Sequence, residues 1–220
     1  MKHPNILVID VGGTHVKLLS TGHKDMREFP SGAGLTAKDM VRGVKNIAKD
    51  WKYDAVSIGY PGVVVHGRLV HEPHNLGSGW LKFSFEKAFG RPVKIINDAA
   101  MQALGNYKEG SMLFLGLGTG LGSAMIVDGI LEPMELAHLP YKNGKTYEDY
   151  VGVRGLKRLG RKKWEHHVAK AVQQLRAALE PKEVVLGGGN VRKLRSVPPG
   201  VRLSSNASAF LGGFRMWHKK

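Results

Sequence analysis

The dipeptide Asn97-Asp98 stands directly behind the apolar run Val93-Lys94-Ile95-Ile96. A carboxylate at the end of a buried strand is a candidate general base for an attacking hydroxyl. Two glycine loops bracket it in the sequence: Asp10-Val11-Gly12-Gly13-Thr14-His15-Val16-Lys17, and Leu115-Gly116-Leu117-Gly118-Thr119-Gly120-Leu121-Gly122. Each follows an apolar run, and glycines at a strand end let backbone N–H groups face the oxygens of a phosphate chain. Phosphoryl transfer is a matter of positioning and charge neutralisation, so a base, a cation and converging N–H donors suffice. For Asp98 the rival reading is a helix N-cap worth about 1 kcal/mol. For Gly12-Gly13-Thr14 alone the rival is a plain hairpin turn, which the second loop outweighs.

The elements that must position these residues follow from hydrophobic period. Residues 5–9 and 16–19 read as a strand hairpin about the first loop, and 112–115 and 123–127 as a second hairpin about the second loop. Residues 37–51 place Met40, Val41, Val44, Ile47, Ala48 and Trp51 at helical spacing. Residues 55–59 form a strand ended by Tyr60-Pro61-Gly62, and 63–65 with 68–70 a small hairpin. A helix is expected over 98–108, another over 164–179, and a buried strand over 183–186 running into Gly187-Gly188-Gly189. The same strand, glycine loop, strand device thus occurs twice, which implies two related α/β halves.

The chain has 220 residues, 42% of them hydrophobic, and no cysteine. That composition builds a core and excludes disulfides, thiolate zinc sites and cysteine nucleophiles. No apolar run is long enough to span a bilayer and no signal-peptide pattern precedes the first strand, so a cytoplasmic protein is the expectation. The net charge is +15, and its placement is uneven: residues 1–141 hold 15 Lys/Arg against 13 Asp/Glu, residues 142–220 hold 18 against 5. Such an excess attracts polyanions. A merely solvated basic face, including Arg158, Arg161, Lys162 and Lys163, is the even-handed alternative.

Seven motifs occur in an order that resembles the ROK sugar kinases, and within them the bacterial polyphosphate glucokinases. They are Asp10-Val11-Gly12-Gly13-Thr14, Gly59-Tyr60-Pro61-Gly62, Asn97-Asp98-Ala99, residues 117–123, residues 135–139, Tyr147-Glu148-Asp149, and Leu186-Gly187-Gly188-Gly189. The resemblance implies an α/β protein of the actin-like ATPase (ribonuclease H-like) type, with two lobes about a central cleft. It implies a small N-terminal lobe over 1–98, completed by 206–220, and a larger C-terminal lobe over 99–205. The implied activity is transfer of a phosphoryl group from polyphosphate or ATP to the 6-hydroxyl of glucose or a related hexose.

The resemblance also implies roles. Asp98 is the catalytic base; Asn97, Glu135, His138 and Glu148 grip ring hydroxyls, and Gly62 and Asn75 line the sugar site. Asp10 orients magnesium, while Gly12, Gly13, Thr14, Lys17, Gly118, Thr119, Gly120 and Gly122 hold the donor phosphates. Gly187, Gly188 and Gly189 lie beside adenosine when the donor is ATP. No zinc is expected, and a homodimer is the family habit. Ala137 stands where family members usually carry glycine. Two rivals remain: a non-catalytic sugar-binding protein of the same fold, for which the first loop begins too early to leave room for a reading head, and a nucleic-acid-binding protein resting on charge alone. Neither a membrane nor a specific nucleic acid is expected as a partner.

Overall fold

The computed structural model describes residues 4–205 and 207–218. Residues 1–3, 206 and 219–220, which the expected N-terminal lobe includes, lie outside the described residues. The chain divides into two compact units, Met1–Met101 with Ala209–Lys220, and Gln102–Ser208.

In the first unit, β1 (Ile6–Val11), β2 (His15–Ser20) and β3 (Arg27–Pro30) form an antiparallel meander. Strands β4 (Ala55–Tyr60) and β7 (Val93–Asn97) then extend the sheet in parallel, giving the order β3-β2-β1-β4-β7. A two-stranded hairpin, β5 (Val64–Val65) and β6 (Arg68–Leu69), lies between β4 and β7 in the chain. Alternation along β1 sends Leu7, Ile9 and Val11 to one face and Ile6 and Val8 to the other. The first set packs on helix α1 (Ala37–Ile47) through Met40, Val41 and Val44, and on Trp80, Phe85 and Phe89 around α2 (Phe85–Phe89). The second packs on Met101 of α3 (Asp98–Asn106) and on Ala209 and Phe210 of α6 (Ser208–Arg215).

The second unit repeats this plan. Strands β8 (Ser111–Leu117), β9 (Leu121–Val127) and β10 (Ile130–Met134) form the meander, and β13 (Glu183–Gly187) and β14 (Val201–Leu203) add in parallel, giving β10-β9-β8-β13-β14. After β10 come a 3-10 turn over Leu136–His138, the hairpin β11 (Pro140–Lys142) and β12 (Lys145–Thr146), α4 (Tyr147–Val151) and α5 (Val153–Leu179). α5 buries Trp164, Val168, Ala171, Val172 and Leu175 against Leu113, Leu115, Val184 and Leu186.

Several sequence expectations shift in detail. The first helix stops at Ile47 with Ala48 as its C-cap, and Trp51 is buried from a loop, under the Arg27 guanidinium 4.2 Å from its ring centre. Its periodic position records burial, not helicity. α3 ends at Asn106 instead of 108, and the long helix begins at Val153, broken at Gly160, whose φ of 72° lies where only glycine is comfortable. β3, α2, β10, α4, β14 and α6 are too short or too weakly periodic to be read from sequence.

Candidate active-site elements

In the first unit the register aligns three strand ends. Asp10 of β1 pairs with Gly59 of β4, and Tyr60 of β4 pairs with Asn97 of β7. Asp10, the Tyr60-Pro61-Gly62 turn and Asn97-Asp98 therefore share the carboxyl-terminal edge of three adjacent parallel strands, the edge where open α/β sheets bind ligands. Asn97, rather than Asp98, caps α3: its Oδ1 accepts from Ala100 N–H at 3.1 Å, while its Nδ2 donates to Gly62 O at 3.1 Å. The capping role weighed for Asp98 thus falls to its neighbour. Asp98 accepts from Ala99 N–H through Oδ1 at 2.8 Å and is partly buried at the head of α3.

The first glycine loop is a tight hairpin. Gly12 N–H donates to His15 O at 3.0 Å, and Gly12 O accepts from Ser31 Oγ at 2.6 Å, so Gly12 is spent on the turn. Gly13 and Thr14 are exposed at its tip, and the space beside Gly13 is bounded by Asn75 Cβ, 3.8 Å from where a methyl would sit. The loop and the Asn75 segment are therefore neighbours. Ser31, whose backbone N–H also donates to Thr14 O at 2.9 Å, clamps the loop, although a lone Ser before Gly32 carries no signal in the sequence.

Asp10 is partly buried, and its desolvation raises the carboxyl pKa to about 6, opposed by Lys17, its cross-strand partner. A desolvated carboxylate at a strand end suits a magnesium ion, which takes one or two protein carboxylates and draws its other ligands from phosphate and water. Among the described residues no group of three or more His, Asp or Glu side chains comes together as a metal cage. Asp10 is the residue that would hold such an ion.

In the second unit the second loop is tied to the glycine run after β13. Gly116 pairs with Gly187 in parallel register, Asn190 N–H donates to Leu117 O at 2.9 Å, and Asn190 Nδ2 donates to Gly118 O at 2.8 Å. Gly188 has φ 83°, and a methyl there would sit 2.5 Å from Leu117 O. Only glycine allows that approach. Gly189 is exposed. Asn190 was missed, although a polar residue closing a glycine run is the visible signal. Gly118 N–H is turned inward to Gly120 O at 3.1 Å, and Thr119, exposed at the tip, accepts from Val153 N–H at the start of α5. Gly122, on β9, pairs with Gly116 across the hairpin.

The residues expected on the sugar lie along one stretch of this unit. Ser123 Oγ donates to Met134 O at 2.7 Å and accepts from Leu136 N–H at 3.2 Å, fastening the turn that carries Glu135. Glu135 and His138 are exposed, so His138 is not a core histidine, and Ala137 is buried. α4 opens with a reciprocal capping box, Thr146 with Asp149. It carries Glu148 over Gly120, and Glu148 Oε1 accepts from Arg154 at 3.0 Å. Of the basic cluster, Arg158 is committed to Asp149 O at 2.8 Å and to the Tyr150 ring, whereas Arg161, Lys162 and Lys163 are exposed just beyond the break at Gly160. Trp164 is fully buried and donates to Val151 O at 2.7 Å, a packing role. No helix among the described residues is long and apolar enough to cross a membrane.

Comparison with known proteins agrees with this plan. The ROK family model matches residues 6–133. The polyphosphate glucokinase of Mycobacterium tuberculosis (strain CDC 1551 / Oshkosh) is 30% identical over 210 residues, covering 84% of this chain and 77% of that protein. Among solved structures, the inorganic polyphosphate/ATP-glucomannokinase of Arthrobacter sp. strain KM superposes with a TM-score of 0.82 at 24% identity, over 96% of this chain and 97% of the other. A ROK family glucokinase of Streptomyces griseus, solved with glucose and AMPPNP, gives 0.79 at 16% identity over 97% and 99%. The fold is accordingly the actin-like ATPase type that the order of motifs implied. With its family model spanning more than half of the chain and a relative at this identity, the chain belongs to the ROK family.

Proposed function

We propose that this protein is a sugar kinase that transfers a phosphoryl group from polyphosphate or ATP to the 6-hydroxyl of glucose or a related hexose. The observation that carries the reading is the alignment of Asp10, Gly62 and Asn97-Asp98 along one sheet edge in a ROK family chain. Asp98 takes the proton from the attacking hydroxyl, and Asn97 keeps the Gly62 turn and the first turn of α3 in fixed relation to it. Glu135, His138 and Glu148 supply carboxylate and imidazole partners for the other ring hydroxyls, which need both donors and acceptors. Gly13 and Thr14, and Thr119 with Gly120, border the donor phosphates; Gly187 to Gly189 border a nucleotide base. A magnesium ion on Asp10 would supply charge neutralisation at the donor phosphates.

Two features support polyphosphate as a donor. Relatives of this chain bear that activity in their names. The exposed Arg161-Lys162-Lys163 run lies in a segment whose positive excess exceeds what the few phosphates of one nucleotide require. A coupled assay of glucose 6-phosphate formation, run with ATP and with polyphosphate in parallel, tests donor and acceptor together. Sugar binding without turnover on either donor would leave a non-catalytic sugar-binding protein.

A further inference from the structure

We propose that the hydrogen bond between Tyr141 and His167 is a latch that positions Glu148, and so sets sugar affinity. This rests on the reading of Glu148 as a ligand of the sugar hydroxyls. α4 is only five residues long, and a helix that short does not hold its shape alone. It is held from behind by an aromatic cluster. Tyr141 of β11 stacks on Tyr147 at 4.8 Å between ring centres and meets Tyr150 edge-on at 5.1 Å, so it grips the residues on both sides of Glu148. Tyr141 Oη is 2.9 Å from His167 Nδ1 on α5, and the His167 ring lies 4.6 Å from that of Tyr150. Tyr147 and Tyr150 are buried. The segment running back from Tyr141 carries His138 and Glu135.

The chemistry of the pair favours the phenol as donor. Burial raises the Tyr141 phenol, which keeps its proton. Burial, then His166, Lys142, Lys170 and Arg158, hold His167 below its ordinary value, which favours the neutral ring, and in the tautomer with a bare Nδ1 that atom accepts from the phenol. His167 faces Tyr141 and Lys142 of β11, Tyr150 of α4, and His166, Lys170 and Arg158 of its own helix, with no carboxylate among them. Protonation would turn Nδ1 into a donor, so that the phenol could only accept and its own proton would lose its acceptor, and it would add a cation to a partly buried ring that already faces Lys142, Lys170 and Arg158. The latch therefore loosens as pH falls through the His167 titration, which lies below the ordinary imidazole value.

The test is steady-state kinetics with glucose varied at saturating donor, from about pH 5 to about pH 8. Tyr141→Phe keeps the rings and removes the bond, and is expected to raise the glucose KM about three- to tenfold at neutral pH, the effect of one lost hydrogen bond. kcat and the donor KM should stay unchanged. His167→Asn retains an acceptor near the Nδ1 position and cannot titrate; it should keep the neutral-pH glucose KM and flatten its rise toward acid relative to the wild type. A wild-type glucose KM in Tyr141→Phe, or an undiminished acid rise in His167→Asn, overturns the latch. Glu148→Gln separates the two layers: if it leaves the glucose KM untouched, the assignment of Glu148 falls and the latch with it, whereas a raised KM beside a silent Tyr141→Phe removes the latch alone.

Discussion

Gly120→Ala is the sharpest perturbation of the proposed site, because the space beside Gly120 is filled by the Glu148 side chain. A methyl on Gly120 would fall inside the van der Waals shell of Glu148 Oε2 and lie 2.8 Å from its Cδ. Carbon atoms rest at about 3.5–4.0 Å, so the carboxyl group must retreat by about 1 Å or change rotamer. The fold itself loses little. The obstacle is the far end of a flexible side chain, and the ion pair it surrenders joins a largely exposed Arg154 to a partly exposed Glu148, worth about 0–1 kcal/mol. The sugar loses more, since a hydroxyl left without its carboxylate partner costs about 1–3 kcal/mol, or about 5- to 150-fold in glucose KM. Gly118→Ala is the control within the same loop: a methyl there meets nothing within 4 Å, and the glucose KM should not move. Initial-rate kinetics with a thermal melt of each variant decide the matter. A wild-type glucose KM in Gly120→Ala, or equal effects of the two substitutions on it, would refute the reasoning that Glu148 contacts sugar from its place over Gly120.

Asp98→Asn should lower turnover by about 100-fold or more while sparing sugar binding, measured by calorimetry; retained turnover would remove Asp98 as the base. For Asp10 the folded carboxyl titrates near 6 against an ordinary 3.8, so the native state holds this proton more tightly and stability falls as pH rises through that window. Asp10→Asn should therefore gain about 1–3 kcal/mol at pH 7 and nothing below pH 3.8, seen in denaturant titrations at the two pH values, while activity drops. Replacing Arg161, Lys162 and Lys163 together with Gln should flatten the salt dependence of the polyphosphate KM and leave that of ATP unchanged; equal salt slopes for the two donors in the unaltered enzyme would refute a polyanion track.

The glycine loops, Asn97-Asp98 and the strands before them were legible because a buried strand writes itself as an apolar run and a tight turn as glycine. The duplicated plan was visible for the same reason. Periodicity misled at Trp51, which keeps a helical spacing yet is buried from a loop, because period reports which side chains are covered and not what backbone carries them. It missed the first eleven residues of α5, 153–163, where the stripe is interrupted by Gly160. The supports of the site were least legible. Ser31 and Ser123 act through hydrogen bonds to backbone atoms at a distance in sequence, and nothing local distinguishes them from loop residues, whereas Asn190 is marked only by its place at the end of a glycine run. The assignment of Asn97 as cap needed its distance to Ala100, since Asn and Asp in succession both fit that role.

The return of residues 209–218 to the first unit has a consequence for how the chain is made. Ser57 Oγ on β4 donates to Gly213 O at 2.7 Å and accepts from Trp217 Nε1 at 2.8 Å, and Lys94 Nζ on β7 donates to Met216 O at 2.7 Å. A methyl on Gly213 would press into Val8 of β1, so helix and sheet meet there backbone to side chain. On the ribosome, the first hundred residues emerge with the Ile6 and Val8 face of their sheet uncovered, and the whole of the second unit must be synthesised before its cover arrives. The second unit, continuous in sequence, has no such delay and can complete its core first, against the usual N-to-C order. Nascent chains halted near Ser208 would then expose an apolar sheet face to chaperones.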